Sequence, residues 1–139
     1  KMINEIDEML KAKESNLEPS IKLNRIDSQE DPEIISKQVP AGNNRLIYYS
    51  MQLDGIINYI NNYLNNVDKI TASDDIIPML VFSYKYQAYP NPNINGTYLI
   101  GYLNEIPLYI SSFVENAIYA QSPVKEDGTI DYIKINIKD

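Results

Sequence analysis

Asp131-Tyr132-Ile133-Lys134-Ile135-Asn136-Ile137-Lys138 alternates isoleucine with polar or aromatic residues over its whole length. That period of two is the mark of a strand with one face buried, and Ile133, Ile135 and Ile137 are its inward residues. Just upstream, Glu126-Asp127-Gly128 reads as a turn. Before it, Thr97 to Leu103, Ile106 to Ser111 and Ala117 to Ala120 are short strand candidates. Tyr84 to Tyr89 alternates aromatic and polar residues. Asn95-Gly96, inside a loop from Pro90 to Gly96, is the strongest hairpin-turn dipeptide in the chain. The apolar run Ile76 to Phe82 also reads as a strand, with Pro78 near its start or on an edge because proline cannot donate to a ladder.

Further upstream the period lengthens. Leu46, Met51 or Leu53, Ile56, Ile57, Ile60, Tyr63, Leu64 and Val67 fall on one stripe over residues 44–67, which predicts an amphipathic helix. Asn58, Asn61, Asn62, Asn65 and Asn66 lie largely off the stripe, and Asn43 or Asn44 can cap the start. Asparagine and Gly55 are poor helix formers, so packing of the stripe must supply the stability. Residues 1–40 are charged and punctuated by Asp31-Pro32 and Val39-Pro40. Ile3, Ile6, Met9 and Leu10 predict a short helix over 2–13. The remainder fits an extended arm and a plain linker equally. The expected fold class is therefore α+β: one long amphipathic helix packed on a mostly antiparallel sheet, with an extended charged N-terminal arm. The expected division is 1–40 as short helix plus arm, and 41–139 as the core domain. Lys1 at the start, and Asp139 ending inside an apparent strand, suggest a piece of a longer chain.

Composition narrows the chemistry. The 139 residues contain no His and no Cys, which removes the commonest general base, the thiolate nucleophile, zinc–thiolate sites and disulfides. A net charge of -7, with no basic run, argues against direct nucleic-acid binding or attachment to an anionic membrane. No apolar stretch approaches the length that spans a bilayer. Asn91-Pro92-Asn93-Ile94-Asn95-Gly96 mimics the spacing of a calcium loop. It lacks the leading carboxylate, and Tyr102 stands where the bidentate glutamate belongs. Asn95-Gly96-Thr97 matches a glycosylation sequon by chance in an Asn-rich chain. Asp74-Asp75 has no third ligand at useful spacing, and Ser111-Ser112 has no base nearby in sequence. The expectation is no enzyme, no cofactor and no metal. Tyr84, Tyr86, Tyr89, Tyr98, Tyr102 and Tyr109 remain as candidate interface residues.

The run Gly96-Thr97-Tyr98-Leu99-Ile100-Gly101-Tyr102-Leu103-Asn104-Glu105-Ile106-Pro107-Leu108-Tyr109-Ile110-Ser111, continued by Glu115-Asn116-Ala117-Ile118-Tyr119-Ala120, resembles a segment of tailed-phage major capsid proteins. Asn104-Glu105 stands where that family usually has a glycine. The resemblance implies a shell-forming subunit, assembled in a host cytoplasm and residing in the virion, whose partners are copies of itself or neighbouring structural proteins. It brings no catalytic residues. The expected function is thus structural; the alternative is a Tyr-rich binding module for a glycan or peptide.

Overall fold

The computed structural model describes residue 6, residues 21–27 and residues 33–138. In chain order the elements are β1 (Leu23–Arg25), β2 (Glu33–Ser36), α1 (Asn44–Tyr63), β3 (Lys69–Ala72), a 3-10 turn (Asp74–Ile76), α2 (Ile77–Leu80), β4 (Tyr86–Ala88), β5 (Thr97–Leu103), β6 (Ile106–Ser111), β7 (Ala117–Gln121) and β8 (Ile130–Lys138). One sheet carries the strands in the order β1-β8-β7-β3-β6-β5-β4, and β2 joins it by pairing with β8.

This corrects the expected fold class. The body of the molecule is a sheet, and its helices are short. β1 and β2 run parallel to β8, and β3 runs parallel to β6, so the sheet is mixed. The segment expected as an arm supplies two of its strands: Leu23 pairs with Ile130, and Ser36 with Lys138. The helix stops at Tyr63, short of Val67, because Leu64 turns extended (φ -122, ψ 122) and Asn65-Asn66 follow as a bend. The asparagines offer the backbone competing side-chain hydrogen bonds and end the helix where its packing face runs out. The apolar run from Ile76 is the 3-10 turn and α2, not a strand. Pro78 sits in the first turn of α2, where a missing N–H costs nothing. Of the helix expected over 2–13, only Ile6 lies among the described residues; it is helical and fully buried.

The alternation in β8 does what its period predicts. Ile133, Ile135 and Ile137 meet Ile118 and Ala120 of β7, Ile70 and Ala72 of β3, Leu108 and Ile110 of β6, and Leu53, Ile56, Ile57 and Ile60 of α1 in one cluster. Full burial of each such isoleucine contributes about 1.5–3 kcal/mol. A second, smaller cluster lies on the other side of the sheet, where Ile6, Val114, Ala117 and Tyr119 pack with Leu23 and Tyr132.

The β5–β6 hairpin closes through Asn104 and Glu105, with φ of 52° and 67° between the paired residues Leu103 and Ile106. Two successive positive φ values define the turn whose backbone twist matches paired strands. Asparagine tolerates that conformation; glutamate is strained in it by about 1 kcal/mol. Glu105→Gly is therefore expected to raise stability by about 0.5 kcal/mol, after allowance for the looser unfolded chain. A urea midpoint unchanged or lowered would count against that turn geometry.

Candidate functional site

The six tyrosines do not form one surface. Tyr86 and Tyr98 pack against the main core on the α1 side of the sheet. The Tyr86 hydroxyl donates to the Ile100 carbonyl at 3.0 Å, and burial, with Tyr98 nearby, raises its pKa. Tyr102 and Tyr109 point the other way, since they alternate with the inward-facing Leu103, Leu108 and Ile110. The Lys69 ammonium lies 5.8 Å from the Tyr109 ring centroid. Tyr84, 96% exposed, and Tyr89 flank β4 at the sheet edge. Among the described residues there are ring pairs that sequence reasoning did not single out. Tyr49 stacks on Phe82 at 5.2 Å, Tyr59 tilts against Tyr63 at 4.8 Å, and Tyr119 tilts against Tyr132 at 5.9 Å.

Sequence reasoning also passed over Asp27. Its side chain is fully buried and accepts three hydrogen bonds: from Arg25 Nε at 2.7 Å, Tyr59 Oη at 3.0 Å and the Lys134 backbone N–H at 3.2 Å. These donors belong to β1, α1 and β8. The ladder from β1 to β8 ends where Ile26 N–H donates to the Tyr132 carbonyl. Asp27 then satisfies the next available amide on β8 with its side chain, before β2 takes over from Asn136 onward. A carboxylate serves here because one strand ends and another begins on the same edge. Burial, then the Asp27 hydrogen bond and charge, raise the pKa of Tyr59 well above the ordinary phenol value. The network is a structural clamp, with donors from three elements converging on Asp27.

One member of each of the other acid and hydroxyl pairs, Asp75 and Ser111, is also engaged within the fold. Asp75 accepts from Ser73 Oγ at 2.8 Å and pairs with Lys37 at 3.2 Å, and the Lys37 ammonium also donates to the Asn116 side chain. Ser111 Oγ accepts from Thr97 Oγ1 at 2.9 Å and from the Phe113 N–H at 3.1 Å. Among the described residues no group of three or more acidic side chains is placed to hold a metal ion. None of their helices is long and apolar enough to cross a membrane.

The fold also leaves some apolar side chains on its surface. Ile47, Met51, Asp54, Asn58, Asn61 and Asn62 follow one another at helical steps down the side of α1 that faces away from the sheet. Its second half is polar, as solvent requires. Its first half is not: Ile47 is 61% exposed and Met51 66%, and Leu46 beside them is 52% exposed. At the opposite end of α1 a cleft of about 360 Å³ opens between the helix terminus and the β7–β8 connection. Ile26, Tyr63 and Val124 form its apolar walls. Asn65, Asn66 and the Lys125–Asp131 ion pair (3.0 Å) also line it. A second cleft, of about 410 Å³, lies between Asp74, the Asn95-Gly96 loop end and Ser111-Ser112. The chain matches no family model, no curated protein and no solved structure.

Proposed function

We propose that this chain is a structural subunit that works by packing against other chains, of the kind that builds a virion shell. The observation that carries this reading is the apolar first half of the outward side of α1. An amphipathic helix is expected to turn polar residues to solvent along its whole outward side, yet the first half of this one exposes Leu46, Ile47 and Met51. Contiguous apolar surface of this sort marks a protein–protein contact. The stretch that resembles phage capsid proteins forms β5, β6 and the start of β7, and it points the same way.

Sedimentation velocity over a range of concentrations tests the proposal. The native chain is expected to associate as concentration rises. Ile47→Asp combined with Met51→Asp is expected to remain monomeric with an unchanged melting temperature, because both side chains are exposed. A native chain that stays monomeric at the highest concentration reached would overturn the reading.

A further inference from the structure

The two ends of α1 differ in a complementary way. Its N-terminal end carries the exposed Leu46, Ile47 and Met51. Its C-terminal end borders a cleft that is apolar at the exposed Ile26, Tyr63 and Val124 and polar at Asn65, Asn66 and the Lys125–Asp131 pair. The two lie roughly 25 Å apart along the helix, so one molecule cannot bring its own projection to its own cleft. The charges match too. Arg45 is exposed beside the projection, and Asp68 is exposed beside the cleft, its N–H bonded to the Gln121 carbonyl next to Ser122. Neither is held in an ion pair among the described residues.

Building on the structural role above, we propose that the cleft at the C-terminal end of α1 is the socket for the N-terminal end of α1 in a second copy of this chain. The contact is head to tail, so each copy offers one projection and one socket, and pairing propagates into a ring or an open array instead of stopping at a dimer. Two copies that each carry a net charge of -7 repel one another at a distance. Short-range burial of Ile47 and Met51 against Tyr63 and Val124, flanked by Arg45 facing Asp68, supplies the attraction. The occupant's apolar side chains meet Ile26, Tyr63 and Val124, and its polar neighbours meet Asn65, Asn66 and the Lys125–Asp131 pair.

The test uses two full-length surface variants, Ile47→Asp in the projection and Val124→Asp in the socket, followed by light scattering after size exclusion. Each alone is expected to be monomeric. An equimolar mixture is expected to form one-to-one dimers and nothing larger, since each pair then has one intact projection and one intact socket. Arg45→Glu is expected to weaken association of the otherwise native chain about fivefold, and Asp68→Lys added to the same chain to restore it. If Val124→Asp associates as the native chain does, or the mixture stays monomeric while the native chain associates, the socket is wrong and the structural role stands. If the native chain itself never associates, both fall together.

Discussion

Asp27→Ala is expected to lower stability by about 3–5 kcal/mol, the usual cost of removing one member of a buried charged pair. The substitution strips an acceptor from Arg25 Nε, Tyr59 Oη and the Lys134 amide at once. It also leaves an unsatisfied amide on β8 between its partners β1 and β2. Asp27→Asn keeps the shape and one acceptor oxygen, so its loss should be about half as large. Urea unfolding of both variants measures this, and a loss under about 1 kcal/mol for Asp27→Ala would mean the three bonds contribute little beyond an ordinary hydrogen bond. The same network has a signature in alkali. The fold favours the neutral phenol of Tyr59, so that contribution is complete below the ordinary tyrosine value of 10.0 and is lost as pH rises above it. In Asp27→Asn burial still raises the Tyr59 pKa, but the carboxylate charge is gone, so the phenol should ionise at lower pH than in the native chain. An absorbance titration reads that shift directly.

Gly101→Ala is expected to cost about 3 kcal/mol. A Cβ at residue 101 would lie 2.3 Å from the Gln87 carbonyl oxygen, 2.8 Å from Tyr86 Cε1 and 2.9 Å from the Tyr86 hydroxyl. The backbone contact cannot be relieved by a rotamer change. The Tyr86 ring covers the glycine while its hydroxyl donates to Ile100, so moving it breaks that hydrogen bond as well. β4 has only three residues and one neighbour, and its separation from β5 is the expected response. Faster amide exchange confined to residues 86–88 and their partners on β5 would identify that event. A variant as stable as the native chain would mean that β4 relaxes outward at no cost.

The strands from Thr97 onward were legible because β8 alternates over most of its nine residues and the β5–β6 hairpin joins strands that are close in sequence. β1 and β2 were not. They span three and four residues, show no alternation long enough to read, and pair with β8 across the whole domain. Ile76 to Phe82 was ambiguous in kind, since a short apolar run fits a strand or a buried helical turn; the tolerance of a first helical turn for Pro78 decided it. The tyrosines show a subtler failure. Tyr98 and Tyr102 are an even number of residues apart, so plain alternation places them on one face. The bulge between Leu99 and Gly101 reverses that parity, leaving Tyr98 opposite Ile110 in the core and Tyr102 opposite Pro107 on the far side. The Asp27 clamp left no signal, because residues 25, 59 and 134 share no pattern until the fold brings them together. At the exposed apolar end of α1 the stripe was read as Leu46 followed by Met51 or Leu53; Leu53 is the buried one, and Leu46 and Met51 are exposed.

β8 holds β7, its neighbour in sequence, on one side and β1 and β2 on the other. The Asp27–Lys134 contact spans 107 residues, and closing a loop of that length costs about 4 kcal/mol of chain entropy before any contact rewards it. Refolding of this chain should therefore be slow for its size, in the range of domains dominated by non-local pairing. Until β8 is in place, its amide edge and those of its would-be partners stay open to foreign strands. That interval, rather than the finished fold, is when the chain is most exposed to aggregation.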